Sequence, residues 1–149
     1  MAAICAAGWR QTVEGRISEE YQRKNIEFWY NHARVCNDIQ KGAYTHIALA
    51  GSNVAGVIGG GMTGSDTAEI FVLYVDETYR YKGIGTLLLD ALTKEHRKNG
   101  ASRQCVSVEE DNQYGIPFYE SRGFLCQGRE TLTETGEQHV SLRYARSLK

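Results

Sequence analysis

Residues 69–85 read EIFVLYVDETYRYKGIG and join an apolar strand to the glycine-rich start of a helix. The strand part, Ala68 to Val75, is β-branched and aromatic, and it is apolar on both faces, which predicts a central strand covered on both sides. Apolar residues at helical spacing follow from Ile84 to Asn99, and Asn99-Gly100 is a C-terminal stop signal. The stretch is therefore interpreted as a strand–loop–helix junction.

The loop of this junction carries the pattern Arg80-x-x-Gly83-x-Gly85. A helix N-terminus leaves several backbone N–H groups unpaired at the positive end of the helix dipole, and glycines let an anion approach those groups closely. Arg80 and Lys82 add positive charge at the same place. Two interpretations remain: a cradle for a pyrophosphate, or a tight turn that needs glycine dihedral angles.

Two familiar phosphate-binding motifs do not account for the loop. A P-loop requires Gly-Lys-Ser/Thr, which the chain lacks, and the Rossmann pattern fails because Leu88 stands where its third glycine belongs. The segment Gly59-x-Gly61-x-x-Gly64 matches GxGxxG literally, but it lies in a predicted strand with no helix after it. We interpret the run Gly59-Gly60-Gly61 as a bulge or a close backbone contact.

The segments around the junction predict an α+β fold. In chain order, the predicted elements are a helix at 2–12, a helix begun by Ser18, a helix at 26–39, strands at 44–50, 54–62 and 68–75, a helix at 84–99, a strand at 104–109, a helix capped by Asp111-Asn112 and running to about Arg122, and two closing strands, the last at 139–145. Three antiparallel strands form a meander, and the helix at 84–99 then crosses between two parallel strands.

The composition limits the classes of protein to which the chain can belong. With 149 residues, 42% of them hydrophobic, and a net charge of −1, we expect a single domain over 1–149 with no nucleic-acid partner and no membrane partner. The absence of a signal-peptide pattern and of a long apolar run predicts a soluble, cytoplasmic protein. Four widely spaced cysteines and no paired histidines predict reduced core thiols and no metal site.

Two motifs in the chain are similar to those of the GNAT superfamily of acyl-CoA-dependent N-acetyltransferases. The first is Leu73-Tyr74-Val75 followed by Arg80-Tyr81-Lys82-Gly83-Ile84-Gly85, and the second is NQYGIPFYESRGF at residues 112–124. They occur in the family's order, separated by one helix and one strand. The resemblance covers about Tyr44 to Tyr144, and more weakly Trp9 to Glu20.

The resemblance implies a mixed, mainly antiparallel and twisted sheet flanked by helices. The strands ending at Val75 and Glu109 would splay apart, with acetyl-CoA as the co-substrate in the gap between them. Members of the family usually begin with a strand before the first helix, which this chain lacks. Either the start is truncated or the sheet lacks an edge strand, and because an uncovered edge can recruit another chain, a homodimer is kept open.

The resemblance also implies roles for individual residues. Backbone groups of the strand end would pair with the pantetheine, and amides of Tyr81 to Thr86 would hold the pyrophosphate. Tyr119 matches the general acid that protonates the leaving thiolate, with a core aromatic residue as the alternative. Asn112 matches a cofactor contact, with a helix cap as the alternative. The implied cofactor contacts are Leu73, Tyr74, Val75, Arg80, Tyr81, Lys82, Gly83, Ile84, Gly85, Thr86, Asn112 and Tyr119.

The general base is left open by the resemblance, because Ser107 occupies the position at which some members carry a glutamate. Glu69 and Glu109 are two candidate substitutes, each with an ordinary solvated or salt-bridged carboxylate as the alternative, and a water chain is a third route. His139 is expected to be an exposed strand residue. Four aromatic residues of the first helices form a wall for the acceptor or pack in the core: Trp9, Tyr21, Trp29 and Tyr30.

The implied activity is transfer of an acetyl group from acetyl-CoA to a primary amine of a small molecule. The amine attacks the thioester directly in a ternary complex. Two alternatives are a protein or peptide amino-group acetyltransferase and a domain that binds acyl-CoA without turnover.

Overall fold

The computed structural model describes residues 1–13, 15, 18–134 and 137–149. Its elements, in chain order, are α1 (Ala2–Val13), α2 (Glu19–Trp29), α3 (His32–Gln40), β1 (His46–Ala50), β2 (Asn53–Met62), β3 (Thr67–Val75), α4 (Ile84–Lys98), β4 (Arg103–Glu109), α5 (Gly115–Glu120), β5 (Leu125–Glu134) and β6 (Glu137–Ser147). This order of helices and strands is the one predicted from the sequence, and the α+β fold is confirmed.

The strands form one six-stranded sheet in the order β1-β2-β3-β4-β6-β5. Only β3 and β4 are parallel, and α4 makes the crossover between them. The sheet is therefore mixed and mainly antiparallel, as expected. Its edges are β1 and β5, and the first described element of the chain is a helix rather than a strand.

The predicted helix at 26–39 is wrong, because the structure divides this segment into α2 and α3. The side-chain oxygen of Asn31 accepts a hydrogen bond from the backbone N–H of Arg34 at 2.8 Å and so caps a new helix. Asparagine competes in this way with continuation of a helix, since its side chain satisfies a backbone donor that helix initiation leaves unpaired. The Ser18 cap of α2 is present, with Ser18 Oγ accepting from Tyr21 N at 3.2 Å.

A β-bulge decides where β3 and β4 separate. Gly59 of β2 pairs with Val72, and Gly60 pairs with Ile70, so Phe71 is an extra residue on β3. The parallel pairing of β3 with β4 ends at the adjacent Ile70–Val106 pair. A bulge bends its strand and reverses the alternation of its side chains. Beyond it, the ends of β3 and β4 diverge and leave a gap in the sheet.

The main core lies between the sheet and α4. Because α4 presents leucines to the sheet at helical spacing, it buries one continuous apolar face, at about 1.5–3 kcal/mol for each fully buried large side chain. The buried members of this core are Ile58, Ile70, Leu88, Leu89, Leu92, Val106, Val108, Tyr119, Phe124 and Tyr144. In the described part of the chain, no helix combines the length and apolarity needed to cross a membrane.

The glycine run of β2 marks both a bulge position and a close backbone contact. A Cβ at Gly59 would overlap the carbonyl oxygen of Ala43, and one at Gly60 would overlap that of Glu69. The interpretation of this run is therefore confirmed. The interpretation of the cysteines as core residues holds for Cys5 and Cys105 only, because Cys36 and Cys126 are exposed.

Candidate active site

A cavity of about 1110 Å³ occupies the gap between the diverging ends of β3 and β4. The segments Leu73–Val75 and Val106–Glu109 form its two strand walls. Residues of α1, the start of α4 and α5 complete the lining. Since the bulge at Phe71 ends the pairing of the two strands, the backbone edge of β3 that would face β4 is free to pair with a ligand at this level.

One end of the cavity is formed by the glycine loop and the start of α4. Gly83 stands at the N-cap position with φ of +82°, a left-handed conformation that favours glycine, and no side chain caps the first turn. Gly83 to Thr86 line the cavity, and the first N–H groups of a helix lack intrahelical acceptors. The loop is therefore a turn that needs glycine, and it also presents unpaired amides to the cavity. The pyrophosphate cradle stays a prediction.

Three basic residues lie near this end, and the sequence predicted two of them. Arg80 lines the cavity and lies over the ring of Tyr114, with 4.5 Å from its guanidinium carbon to the ring centroid. Lys82, which was expected to contact the cofactor, does not line the cavity, and its ammonium lies 5.6 Å from the ring centroid of Tyr79. The loop turns the Lys82 side chain away from the gap.

Arg122 is the third basic residue, and sequence reasoning missed it. Its guanidinium donates hydrogen bonds to Thr86 Oγ1 and to the carbonyl of Phe118, while its buried Nε has no hydrogen-bond partner within the described residues. An unpaired buried donor on a cation favours an anionic ligand beside it. The sequence signal was a basic residue three positions after Tyr119, inside the second motif.

Tyr119 belongs both to the core and to the cavity wall. Its ring packs against Phe118 and Phe124, each with 5.2 Å between ring centroids, and the residue lines the cavity. Burial raises the pKa of the phenol well above its usual value of 10, because the charged phenolate is poorly solvated there. Tyr119 therefore keeps its proton at neutral pH, as a proton donor must.

Asn112 is a helix cap, which is one of its two predicted interpretations, and its cofactor contact stays a prediction. Its side-chain oxygen accepts hydrogen bonds from the backbone N–H groups of Tyr114 at 3.1 Å and Gly115 at 2.8 Å, so it organises the start of α5. It also lines the cavity, close to the glycine loop. The cap holds α5, and with it Tyr119, in place against the gap.

The two candidate carboxylates have different environments. Glu69 lies before the bulge and does not line the cavity; it pairs with Arg143, with 3.1 Å from Arg143 Nη2 to Glu69 Oε2. This hydrogen bond raises the pKa of Arg143. Glu69 is therefore a structural ion-pair partner, and its interpretation as a base is not supported. Glu109 lines the cavity together with Ser107 and Ser141.

His139 is not the exposed residue that the sequence predicted. Its side chain is only 13% exposed, and its Nδ1 lies 3.3 Å from Glu109 Oε2. The strand register explains the contact: Glu109 pairs with Ser141 of β6, and His139 lies two residues along on the same face. No pattern within either strand could have predicted this pair, because it depends on how the two strands align.

The aromatic residues of the first helices divide into two groups. Trp9, Trp29 and Tyr30 line the cavity. Tyr21 is buried beneath this wall, with 6.3 Å between its ring centroid and that of Trp9 and 6.2 Å to that of His139. Of the two alternatives, lining the cavity therefore applies to Trp9, Trp29 and Tyr30, and core packing applies to Tyr21.

The sequence model of the acetyltransferase (GNAT) family matches residues 4–124 of this chain. The chain belongs to that family. The strand gap, the glycine loop at the start of α4 and the motif around Tyr119 are thus those of a GNAT fold. The predicted resemblance is confirmed over nearly the whole chain.

Solved GNAT structures superpose on most of the chain. A GCN5-related N-acetyltransferase from Rhodopseudomonas palustris has a TM-score of 0.78 and 26% identity, over 99% of this chain and 87% of that one. PaiA N-acetyltransferase from Thermoplasma acidophilum, solved in complex with coenzyme A, has a TM-score of 0.77 and 24% identity, over 98% and 89%. At 24% identity, the similarity to PaiA N-acetyltransferase shows a shared fold and nothing more.

Sequence similarity to a curated GNAT protein is local. The [ribosomal protein bS18]-alanine N-acetyltransferase of Escherichia coli (strain K12) is 37% identical over 59 residues, which are 40% of this chain and 40% of that protein. The match thus spans less than half of the curated relative.

Proposed function

We infer that this GNAT chain transfers an acetyl group from acetyl-CoA to a primary amine of a small molecule by direct attack. The observation that carries the proposal is the continuity of the cavity. It joins the unpaired amides of Gly83 to Thr86, the side chain of Tyr119 and the aromatic wall of Trp9 and Trp29 in one space. A donor and an acceptor can therefore meet beside Tyr119.

The residues at the loop end fit the anionic part of acetyl-CoA. The amides of the first turn of α4, the guanidinium of Arg80 and the buried, unpartnered Nε of Arg122 together offer positive charge and hydrogen-bond donors to a pyrophosphate. The free edge of Leu73–Val75 is suited to pair with the pantetheine as an added strand would. Coenzyme A bound to PaiA supports the same ligand class for this fold.

The chemistry needs a neutral amine, a stabilised oxyanion and a protonated leaving thiolate. A backbone N–H at the end of β3 is the proposed oxyanion donor. Tyr119 is the proposed acid, which gives its proton to the sulfur as the carbon–sulfur bond breaks. In water a phenol is a weaker acid than a thiol, but burial raises the pKa of a thiol as well, so both groups shift in the same direction inside this site.

A second candidate function is acetylation of a protein amino terminus. The local identity to the Escherichia coli enzyme, whose name gives the alanine of ribosomal protein bS18 as its acceptor, favours this candidate. Binding of acyl-CoA without turnover is a third candidate, favoured by the serine at position 107. All three share the cofactor end of the cavity, so the acceptor experiment must separate them.

The test begins with thermal unfolding in acetyl-CoA, CoA, ATP and NAD, each at about 100 times a typical dissociation constant. A ligand that binds only the folded protein adds about 2.7 kcal/mol under these conditions, which raises the Tm of a domain of this size by several degrees. We expect acetyl-CoA and CoA to raise the Tm and ATP and NAD to leave it unchanged. If neither acetyl-CoA nor CoA raises it, the proposal is wrong.

Acceptors are then compared by the release of free thiol from acetyl-CoA. The panel contains 2-phenylethylamine, spermidine and a hexapeptide with an N-terminal alanine. Faster turnover of a small amine supports the proposal, and faster turnover of the peptide supports the second candidate. A Tm increase without thiol release from any acceptor indicates the binding domain.

A further inference from the structure

We propose that Glu109, held in place by His139, is the group that removes the proton from the acceptor's ammonium. This inference rests on the proposed function, because it concerns the acceptor of that reaction. It assigns the base that the sequence left open, and it gives His139 the role of a positioning residue.

Glu109 is the one carboxylate among the described residues that line the cavity. It lies at the end of β4, past the last residue of that strand that pairs with β3, where the gap is open. Its side chain is 23% exposed, so the carboxylate is shielded from bulk water and still accessible from the cavity. A carboxylate in this position can accept a proton from an ammonium that enters past Trp9 and Trp29.

His139 constrains the orientation of this carboxylate. Because an ionised carboxylate only accepts hydrogen bonds, Nδ1 of His139 must donate to Glu109 Oε2 across the 3.3 Å that separates them. In that tautomer Nε2 is an acceptor, and it is buried without a partner within the described residues. The ring of Tyr21, 6.2 Å away between centroids, packs against the imidazole and limits its rotation.

The charged neighbours on this face of the sheet do not neutralise Glu109. Arg143 of β6 is paired with Glu69 of β3 and also donates to Ser107 Oγ at 3.0 Å. Glu130 of β5 is exposed and lies opposite Ser141 in the sheet, and the ring of Tyr21 on α2 lies beside the imidazole of His139. With Arg143 occupied by Glu69, the side chain that hydrogen-bonds to Glu109 in the described structure is His139.

Glu109 and Tyr119 together account for every proton that moves in the reaction. The ammonium gives one proton to Glu109, and the neutral nitrogen then forms its bond to the thioester carbon. The carbon–sulfur bond breaks as Tyr119 gives its proton to the sulfur, and the second proton lost by the nitrogen restores the Tyr119 hydroxyl. The products are the acetamide, CoA as its thiol and one proton, which leaves from Glu109.

The first test compares Glu109→Gln with the matched control Glu110→Gln. Glu110 is the next residue along the chain, its side chain is 38% exposed, and it pairs with Arg129 outside the cavity. With the best acceptor of the panel, we expect Glu109→Gln to lower kcat/KM at pH 7 by about 100-fold. This factor lies at the lower end of the rate increases that a general base provides. The KM for acetyl-CoA and the Tm increase with CoA should not change, and Glu110→Gln should match the wild type.

The pH profile distinguishes a lost base from a disturbed structure. Without a base, the variant depends on acceptor that is already deprotonated in solution, so its log kcat/KM should rise with a slope of about one per pH unit while the wild-type profile is flat near neutral pH. The two profiles should converge as the pH reaches the range in which the free amine titrates. The inference would be overturned if log kcat/KM changed with pH in the same way for Glu109→Gln and the wild type. It would also be overturned if Glu109→Gln were as active as Glu110→Gln.

The role of His139 is tested by His139→Ala and His139→Asn. An asparagine can keep a donor near the place of Nδ1, so we expect it to retain most of the activity and the wild-type profile. We expect His139→Ala to lower kcat by about tenfold. Its log kcat/KM should also rise more steeply with pH, as in Glu109→Gln. If both variants lost the same activity and kept the pH dependence of the wild type, His139 would not position Glu109.

Failure of the inference and failure of the proposed function give different results. If the wild type releases no thiol with any acceptor, the proposed function is wrong and the inference falls with it. If the wild type turns over and only the profile comparison fails, the base lies elsewhere and the acetyltransferase proposal stands.

Discussion

Burial changes the acid–base behaviour of several side chains in and beside the cavity. Tyr119 stays neutral because its phenolate would be desolvated, and burial likewise raises the pKa of Tyr30 to about 12 and that of Cys5 to about 11. Tyr30 shares a hydrogen bond of 3.0 Å with Tyr74, and both residues line the cavity. These groups are therefore uncharged at neutral pH, and the charged groups of the cavity wall are Arg80, Arg122 and Glu109.

Tyr119→Phe tests the proposed acid. Removing the hydroxyl should lower kcat by about 100-fold, because the thiolate must then leave without a proton from the protein, while the Tm increase with acetyl-CoA should persist. Tyr144→Phe is the control, since Tyr144 is a buried tyrosine whose hydroxyl donates to Glu120 outside the cavity. We expect it to cost about 1 kcal/mol of stability and little activity. Unchanged turnover of Tyr119→Phe in steady-state assays would exclude the acid role.

Cys5→Ala tests the effect of thiol burial on stability. The thiol is fully buried, and its pKa is raised from 9.0 to about 11, so between these pH values the unfolded chain loses a proton that the folded protein keeps. The stabilisation from this group is complete below pH 9 and is lost as the pH rises through about 11, a change of about 2–3 kcal/mol.

Urea unfolding at intervals from pH 8 to pH 11 measures this effect. The free energy of unfolding should decline more steeply for the wild type than for Cys5→Ala, even though the variant is less stable at pH 8 because it loses packing. Equal slopes for the two proteins would show that the thiol does not contribute.

At the scale of single elements, the site depends on small backbone irregularities. The extra residue Phe71 turns the side chains of β3 and ends its pairing with β4, which opens the gap. Opposite this bulge, β2 carries glycines. The backbone of Ala43 lies too close to Gly59 for any side chain there. A regular β3 would continue its pairing with β4 and would leave no room for a ligand.

Gly59→Ala and Gly61→Ala form a matched pair that tests this packing. The new methyl group at Gly59 would overlap backbone that cannot move without distorting the sheet, so the free energy of unfolding should fall by more than about 3 kcal/mol. At Gly61 the nearest atom is a side-chain carbon of Phe71 at 3.8 Å, so the change should stay within about 1 kcal/mol. Chemical denaturation measures both, and similar losses in the two variants would contradict the close contact at Gly59.

At the scale of the whole molecule, the cavity combines segments that are far apart in the chain. Its lining runs from Gly8 on α1 to Ser141 on β6, and Glu109, Tyr119 and the glycine loop come from three different regions of the chain. These parts meet because the six strands pair in the order that puts β4 beside both β3 and β6. Loss of the pairing of β4 with β3 or with β6 would separate these parts.

Hydrogen exchange in the presence of acetyl-CoA tests this arrangement. Exchange should slow at the amides of Leu73–Val75 that face the gap and at those of Gly83–Thr86, because a bound ligand would accept hydrogen bonds from both sets. Amides between β1 and β2 are already paired within the sheet and should exchange at the same rate as before. Protection that is absent from β3 would contradict binding of the pantetheine in the gap.

The order of the elements, the strand–loop–helix junction and the family could be predicted from the sequence, because each depends on local periodicity, caps and motifs along the chain. Asn31 shows the limit of prediction from local pattern. Asparagine is a common N-cap residue, but the sequence alone did not indicate that a new helix begins after it. Local pattern also predicted Tyr119 and Arg80 at the cavity, since both stand inside the two motifs.

Which carboxylate faces the cavity, and which residues contact it, could not be predicted from the sequence. Glu69 and Glu109 were equal candidates in the sequence, and the bulge at Phe71 and the register of β4 with β6 separated them. The contact of His139 with Glu109 follows from the register of β4 with β6, and that of Arg122 with Thr86 joins the segment after α5 to the start of α4. The physical reason is that a shift of one residue in a strand moves every following side chain to the other face, and that shift is set by the neighbouring strand rather than by the strand itself.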